Sequence, residues 1–475
     1  MDERLRLRRD ARLEAGGAGA TLVEGHMRMG LGAPPPGVRV ALELLAAGGA
    51  DEDTLGDAAI AAEGEQALMG VQLLLRRLEK TGWIERSLYD GETLLATVTP
   101  VGHELVPVLK ATAADTLLVL SRFALVRADE GRLVVETPKA SLQVTLHDRA
   151  AAAAIFALAA PTTPDAVGVE LLPLLRLLVR AGIAVSPGDE DGRALAQWAF
   201  ADLLFHARSR VGRHLGGYGG SFKLEGRFES LPGVRERFEP ALALPVPDLE
   251  ELARTDPPFT QVLESRASIR VHDDEHPLDV ARLGEFLYRV ARIKGVWNDG
   301  HEDVVSRPYP AGGSLHELEL YPLVNLVDGL EPGLYHYDGQ GHTLGLVAAP
   351  GPPTKLLLEY ARRTGVMETP PQVAILVAAR FGRMMWKYES MAYAAVLKHV
   401  GVLYQTMYLV ATAMGLAPCG LGGGNSDAFA AAAGTDYYEE SSVGEFLLGS
   451  SLGVWPATTS PASTTNASGS ARKRR

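Results

Sequence analysis

Two short stretches of the sequence hold residue types that can bind an anion or move a proton. In the first, residues 265–270 (SRASIR), Arg266, Ser268 and Arg270 occupy alternate positions. In an extended segment these three side chains point the same way, and two guanidinium groups beside a hydroxyl suit a phosphate. The same alternation is typical of the solvated face of a strand, so both interpretations stand at this point.

The second stretch is a lysine followed directly by a tyrosine, Lys387 and Tyr388. Both side chain types can exchange a proton with a substrate when burial or neighbouring charges shift their pKa. A Lys-Tyr dipeptide alone means almost nothing. Its interest comes from its position just before a long apolar segment that ends in a glycine-rich run.

A proline- and glycine-rich turn could bring bare backbone close to a flat molecule. Pro308 and Pro310 restrict the chain, and Gly312, Gly313 and Ser314 follow them. Glycine lets the backbone approach a neighbouring group closely because it has no side chain. A plain surface loop has the same composition and remains the alternative interpretation.

A long buried helix is predicted to position these segments. Its apolar residues recur at alternating steps of three and four, which places them in one stripe of a helix. They are Tyr393, Val396, Val400, Leu403, Met407, Val410 and Met414. Gly415 is a helix stop, and Pro418 prevents the helix from resuming. Beyond it, Gly422 and Gly423 offer backbone N–H groups without side chains, so the helix and its two ends could frame a planar cofactor.

Composition excludes several classes of protein. The chain has 475 residues and a formal net charge of -12, which argues against a general nucleic-acid binder. Cys419 is the single cysteine, so no internal disulfide can form and a reducing, cytoplasmic location is predicted. We expect no signal peptide and no membrane span. His301, His316 and His399 lack metal-ligand spacing, so no metal site is expected.

The front of the chain predicts a winged-helix-like module. Helices are expected over 38–46, 53–62 and 66–81, followed by strands over 83–88 and 93–99 around an Asp-Gly turn. DNA binding through the third helix is one interpretation. A packing or peptide-docking module is favoured, because acidic residues surround the basic ones of that helix.

A second module of similar material follows. Strands are predicted over 116–127, 133–137 and 142–146, and helices over 149–159 and 165–180.

The predicted domains are a flexible arm (1–36), a winged-helix-like domain (37–110), a second winged-helix-like domain with a linker (111–245), a catalytic domain (246–455) and a disordered tail (456–475).

Several blocks in this order resemble one known family. The segment SRASIR, the block SRPYPAGGSLHELELY at 306–321, the GLYHYD hairpin at 333–338 and the helix running into GLGGG resemble the nitroreductase-fold flavoproteins. Within these, the chain looks like the SagB/ThcOx-type azoline dehydrogenases, the oxidases of thiazole and oxazole peptide biosynthesis. Front blocks at 120–140 and 198–214 are similar to the front domains of the same family.

The resemblance implies an α+β fold, in which two small winged-helix-like domains precede a nitroreductase-like catalytic domain that binds FMN at a homodimer interface. The implied phosphate and ribityl ligands are Arg266, Ser268 and Arg270, the implied flavin-lining residues are Gly312, Gly313, Ser314, Gly422 and Gly423, and the implied catalytic pair is Lys387 and Tyr388. One departure is that no Lys or Arg follows the last strand until Arg472, where nitroreductases commonly place a further phosphate ligand.

The implied reaction is the two-electron oxidation of thiazoline or oxazoline rings in a ribosomally made precursor peptide. Either Lys387 or Tyr388 would be the base. The implied partners are that precursor peptide and a cyclodehydratase, with no nucleic acid and no membrane. Two alternatives remain open: an NAD(P)H-dependent nitroreductase or quinone reductase, and a catalytically inactive scaffold in peptide maturation.

Overall fold

A computed structural model describes residues 1–16, 19–25, 27–102 and 117–453. The chain divides into two compact units. The first contains Met1–Ser221 and Glu389–Met391, and the second contains Phe222–Tyr388 and the chain from Ala392 onward. Helices and strands occur in both units, so the predicted mixed α+β class is confirmed.

The first unit begins with strands. Its elements before residue 103 are β1 (Asp2–Leu7), β2 (Arg12–Gly16), β3 (Gly19–Glu24), β4 (Met27–Gly32), α1 (Pro36–Ala47), α2 (Glu52–Glu63), α3 (Ala67–Lys80), β5 (Ile84–Asp90) and β6 (Thr93–Pro100). The prediction of a flexible arm over residues 1–36 is therefore wrong. Antiparallel pairing of β1 with β5 orders this segment, and Leu5 and Leu7 are buried in the core beneath the three helices.

The three helices and the following hairpin appear in the predicted order. Asp51 caps α2 by accepting a hydrogen bond from the N–H of Thr54, and Gly91 at the hairpin turn has a φ of 58°, which favours glycine. The buried residues of α3 recur at helical spacing, as in Val71, Leu75 and Leu78. The assignment of this module as a winged helix stays a prediction.

The rest of the first unit continues, in part, the sheet that contains β1, β5 and β6. Its elements are β7 (Val119–Leu120), β8 (Leu125–Asp129), β9 (Arg132–Glu136), β10 (Leu142–Leu146), α4 (Arg149–Ala157), α5 (Pro164–Val167), α6 (Leu172–Arg180), β11 (Ala184–Val185), α7 (Arg193–Ala196), α8 (Phe200–Arg208) and β12 (Gly219–Gly220). Strand β10 pairs with β6, so the strands of the two predicted front modules form one sheet in the order β1-β5-β6-β10-β9-β8.

Two predicted elements of this part are interrupted. The helix expected over 165–180 is broken at Gly168, whose φ of 128° lies outside the helical region. The strand expected over 116–127 is split into β7 and β8 by a turn in which the N–H of Ala124 donates to the carbonyl of Ser121. Residue 116 itself lies outside the described residues.

The second unit is built on a seven-stranded antiparallel sheet in the order β13-β18-β17-β16-β19-β22-β21. Its elements are β13 (Ala241–Ala243), α9 (Leu249–Thr255), α10 (Phe259–Ser265), α11 (Val280–Ala291), β14 (Gly295–Asn298), β15 (Asp303–Ser306), β16 (Leu318–Val324), β17 (Gly333–Asp338), β18 (Thr343–Ala348), α12 (Pro352–Gly365), β19 (Val373–Arg380), α13 (Phe381–Met385), β20 (Tyr388–Glu389), α14 (Ala392–Ala413), β21 (Leu416–Gly420), α15 (Ser426–Ala433) and β22 (Glu440–Ser450). Every residue of the central strand β19 is buried.

Helix α14 is the long helix expected from the apolar stripe. Val396, Val400, Leu403 and Met407 are buried along it, and Gly415 follows with a φ of 66°. Strand β21 then returns the chain into the sheet beside β22. The prediction of this helix and of its end is confirmed.

The predicted domain boundaries remain predictions. The second unit begins at Phe222, and β13 already belongs to its sheet, whereas the predicted boundary lies at residue 245. The tail predicted over 456–475 lies outside the described residues. Among the described helices, none has the length and apolar character needed to span a bilayer.

Candidate functional site

Lys387 is held by two carboxylates of the turn between β14 and β15. Its Nζ lies 3.3 Å from an oxygen of Glu302 and 3.5 Å from an oxygen of Asp299. Burial lowers the pKa of Lys387, but the nearby carboxylate of Glu302, followed by the charge of Asp299, outweighs it, so the pKa is raised above its usual value. Lys387 is therefore an ammonium ion at neutral pH.

Tyr388 lies against the proline- and glycine-rich turn. A Cβ atom built on Gly313 would be only 2.7 Å from the Tyr388 hydroxyl oxygen. Gly313 also has a φ of 62°, in the left-handed region that favours glycine. The structure thus brings the predicted catalytic tyrosine to the predicted cofactor-lining turn, and a side chain on Gly313 would displace the tyrosine hydroxyl.

His399 of α14 holds the neighbouring residue of this turn. The N–H of Gly312 donates to His399 Nε2 at 2.8 Å, and His399 Nδ1 lies 2.7 Å from Oε1 of Glu317. Because Nε2 accepts a hydrogen bond, the proton of a neutral ring belongs on Nδ1 and is donated to Glu317. Ser314 completes the turn, and its N–H donates to the carbonyl of Ala311.

The segment of residues 265–270 lies against a different part of α14. Ser268 Oγ is 2.7 Å from the hydroxyl of Tyr408, and the guanidinium of Arg266 lies over the Tyr408 ring at 5.2 Å from its centre. The hydroxyl of Tyr408 also accepts the N–H of Gly420. Arg266 and Ser268 therefore face the same tyrosine, as the alternation predicts, although this segment is extended without being part of a sheet.

Arg270 is exposed, and its positive charge acts electrostatically on Cys419 at the end of β21. Burial raises the pKa of the Cys419 thiol, while Arg270 and Ser268 act in the opposite direction. Arg270 therefore lies near β21, and Arg266 lies on the ring of Tyr408, whose hydroxyl accepts a hydrogen bond from Gly420 at the end of the same strand.

Gly422 and Gly423 are exposed and present open backbone. A Cβ atom built on either of them would meet no protein atom within 4 Å. The next residue, Gly424, is different, because its Cβ would overlap the carboxylate of the buried Glu445. Gly424 is therefore required for packing, and the two residues before it leave room for a ligand.

The structure does not bring all predicted residues to one point within a single chain. His399, which holds the Gly312 turn, and Tyr408, which holds Ser268, are nine positions apart on α14. At about 100° per residue they lie on opposite sides of the helix, which is about 10 Å across. The predicted flavin-lining turn and the predicted phosphate ligands are therefore on two sides of the same helix.

Several residues of the site are charged or polar groups that the sequence analysis missed. They are Asp299, Glu302, Glu317, Arg383 and Tyr408. His399 had been considered only as a metal ligand. Its position inside the apolar stripe, one residue before Val400, is the signal that could have identified it as a buried polar contact. Within the described residues no cluster of three or more His, Cys, Asp or Glu could hold a metal ion.

Comparison with known proteins assigns the class of the second unit. Residues 263–450 match the nitroreductase family model, so this part of the chain is a nitroreductase-family oxidoreductase domain with the corresponding fold. The cofactor of this family is FMN. Solved nitroreductases in complex with FMN from Exiguobacterium sibiricum and Bacteroides fragilis are each 14% identical to this chain, with TM-scores of 0.29 and 0.26, and cover 44% of it and 95% and 98% of their own chains. Residues 118–215 match the family model of the cyanobactin oxidase ThcOx. The two matches confirm the resemblance to the SagB/ThcOx-type enzymes.

Individual relatives are similar to part of this chain. A Methanocaldococcus jannaschii protein named as a nitroreductase, MJ1384, is 26% identical over 181 residues, which are 38% of this chain and 84% of the relative. The Escherichia coli microcin B17-processing protein McbC is 25% identical over 208 residues, which are 41% of this chain and 75% of the relative. A solved structure of the E. coli microcin synthetase McbBCD complex with truncated pro-MccB17 bound has 22% identity and a TM-score of 0.33, covering 49% of this chain and 91% of that chain.

Proposed function

We propose that this chain is an FMN-dependent dehydrogenase that oxidises thiazoline or oxazoline rings of a ribosomally made precursor peptide to thiazoles or oxazoles. The observation that carries this proposal is the order of the two family matches, a ThcOx match at 118–215 ahead of a nitroreductase match at 263–450. A nitroreductase domain alone would favour a general reductase. The ThcOx match adds a relationship to an enzyme class that oxidises peptides.

The residues of the second unit fit FMN as the cofactor. Gly312 and Gly313 form a turn whose backbone is exposed, and Gly422 and Gly423 leave open space where side chains would otherwise stand. Together with Ser314, these glycines would line the flavin. Arg266, Ser268 and Arg270 supply two cations and a hydroxyl and would hold the phosphate and ribityl end.

A second copy of the chain would complete this site. The glycine turn and the phosphate ligands lie on opposite sides of α14, so one chain does not surround a single FMN with both sets. A homodimer that places one chain's turn beside its partner's phosphate ligands resolves this arrangement. It would also supply further contacts to the phosphate, which lacks a basic residue directly after β22.

In the proposed reaction the azoline ring loses one proton and one hydride equivalent and becomes aromatic. When bound, FMN supplies the two-electron acceptor. Lys387 is held as an ammonium ion by Glu302 and Asp299, so it orients and stabilises charge and does not accept a proton. The oxygen of Tyr388, beside Gly313, is the remaining group of the pair, and it would take the proton as a phenolate and become the neutral hydroxyl.

The front unit is proposed to dock the precursor peptide in the cytoplasm. The chain carries a formal net charge of -12, so its front domains are better suited to a peptide than to nucleic acid. Similarity to McbC, a microcin B17-processing protein, supports a peptide substrate. A cyclodehydratase, the class of enzyme that forms azolines, is the further partner that this function requires.

Isolated protein is expected to contain FMN and to oxidise a peptide azoline under air. Absorbance spectra and analysis of the released cofactor measure the first property. Mass spectrometry measures the second as a loss of two hydrogen atoms per ring. A protein that stays without flavin after incubation with FMN would contradict the proposal and favour a scaffold without catalysis.

The second candidate function is an NAD(P)H-dependent nitroreductase or quinone reductase, which the similarity to MJ1384 favours. The same preparation distinguishes the two functions under anaerobic conditions. We expect a peptide azoline to bleach the flavin absorbance and NAD(P)H to leave it unchanged. Rapid bleaching by NAD(P)H without azoline oxidation would favour the reductase.

Gly313→Ala is expected to reduce azoline turnover on the order of tenfold, since displacing a reacting group by about 1 Å can cost roughly 100-fold. The new methyl group would displace the Tyr388 hydroxyl and leave Ala in a left-handed conformation. The matched control is Gly434→Ala, where φ is 68° but a Cβ meets nothing within 4 Å. Equal turnover of the two variants, measured at equal flavin content, would show that contact with Tyr388 is irrelevant.

A further inference from the structure

Glu302 is a buried carboxylate with an unusual environment. It is 1% exposed, and among the described residues neither of its carboxylate oxygens has a hydrogen-bond partner of good geometry. Its backbone is fixed by the Asp299 turn, because the N–H of Glu302 donates to Asp299 Oδ1 and the N–H of Asp299 donates to the Glu302 carbonyl. Burying a carboxylate costs free energy unless a cation lies beside it, so the role of Glu302 depends on the cations that surround it.

The neighbours of Glu302 are two cations of different character. Lys387 Nζ is 3.3 Å from one oxygen, and Arg383 Nη1 is 3.8 Å from the other. Arg383 is fully buried and directs its hydrogen bonds to the carbonyls of Leu231, Asp303 and Leu315. Arg383 is therefore occupied by the backbone, and Lys387 is the cation that Glu302 holds.

We propose that Glu302 is a positioning residue for the redox reaction: from its buried position it fixes the Lys387 ammonium beside Tyr388 and keeps it charged. This inference rests on the proposed function for its catalytic meaning. Lys387 then acts as a fixed cation next to the reacting ring. Of Lys387 and Tyr388, only Tyr388 remains as a proton acceptor.

Other groups around Lys387 are compatible with this role. Asp299 is the second carboxylate, at 3.5 Å, and its side chain is 31% exposed. The rings of Phe222 and Tyr388 face the ammonium, with centres 5.3 Å and 6.0 Å away. Burial raises the pKa of Glu302, while Lys387 and Arg383 act against that shift, so the ion pair weakens as Glu302 takes up a proton in acid.

The direct test is the protonation of Lys387 in Glu302→Gln, read without any turnover. The FMN-loaded protein is labelled with trace acetic anhydride at a series of pH values, and the acetylation of Lys387 is measured by peptide mass spectrometry. We expect the pH of half-maximal labelling to fall by about one unit, since an opposite charge within 4–6 Å shifts a pKa by roughly 1–3 units. Exposed Lys398, measured in the same sample, is expected to be unchanged.

Asp299→Asn and Glu302→Asp are the companion variants. Asp299 is more exposed and more distant, so its loss is expected to shift the labelling pH of Lys387 less than the loss of Glu302 does. Glu302→Asp retains the charge and is expected to keep the labelling pH close to that of the native protein. If Glu302→Gln does not fold, a labelling pH lowered more by Asp299→Asn than by Glu302→Asp would overturn the proposal.

A double-mutant cycle connects Glu302 to turnover. Glu302→Gln is expected to lower the kcat of azoline oxidation about tenfold in the native background, the size of a coupling between charged neighbours. In a Lys387→Met background it is expected to have no further effect. An unshifted labelling pH, or equal losses in both backgrounds, would overturn the proposal. If the native protein oxidises no azoline, the proposed function fails, while the labelling result still decides whether Glu302 controls Lys387.

Discussion

Tyr388→Phe is expected to lower azoline turnover by about 100- to 10,000-fold, the range in which a positioned acid or base contributes to catalysis. The substitution removes one hydroxyl and keeps the ring beside Gly313. Lys387 cannot replace the lost group, because Glu302 and Asp299 hold it as an ammonium ion. The measurement is the rate of azole formation by mass spectrometry, at saturating peptide and matched flavin content.

The control for this experiment is Tyr438→Phe, which removes a hydroxyl from a side chain that is 85% exposed. Its turnover is expected to equal that of the native protein. The FMN content of both variants is expected to be unchanged, because neither hydroxyl belongs to the proposed phosphate ligands. Native turnover in Tyr388→Phe would exclude the tyrosine as the proton acceptor and return that role to Lys387.

The elements that could be predicted from the sequence are those whose pattern is local. Helix α14 follows from an apolar stripe at helical spacing, and its end follows from Gly415. Strand β10 coincides with the predicted residues 142–146, and the strand predicted over 133–137 corresponds to β9. In each case the apolar pattern within one short segment determines the element.

The elements that could not be predicted depend on distant partners. Strand β1 contains the charged residues Asp2, Glu3, Arg4 and Arg6, which resemble a solvated arm. It is ordered by pairing with β5, about 80 residues later, and by the burial of Leu5 and Leu7. The sheet shared by the two front modules also depends on distant partners. Strand β6 pairs with β10, and no pattern within either strand indicates that partner.

The contacts within the candidate site could not be predicted from the sequence either. The glycine turn and the Lys-Tyr pair are visible as residue types, but their contact through Gly313 and Tyr388 is tertiary. The segment that contains Asp299 and Glu302 (NDGHED) is polar and predicts an exposed turn. Burial of Glu302 beside Lys387 arises only from packing, so the sequence offers no signal for the carboxylate that pairs with the predicted catalytic lysine.

Arg383→Met is expected to lower the free energy of unfolding of the protein by about 3–5 kcal/mol, as the loss of one partner of a buried charged network does. The Arg383 side chain is fully buried and donates to the carbonyls of Leu231, Asp303 and Leu315 at 2.6–3.3 Å. Methionine has a similar length but no donor, so three carbonyls would lose this partner, and the buried one of Leu315 would lose it at a cost of about 1–3 kcal/mol.

Urea unfolding followed by tryptophan fluorescence measures this change, and Arg363→Met is the matched control. Arg363 is 71% exposed and pairs with Glu359 on the surface of α12, so its loss is expected to cost less than about 1 kcal/mol. Equal midpoints for the two variants would contradict the role assigned to Arg383. Arg383→Lys keeps the charge but not the planar fork and is expected to fall between them.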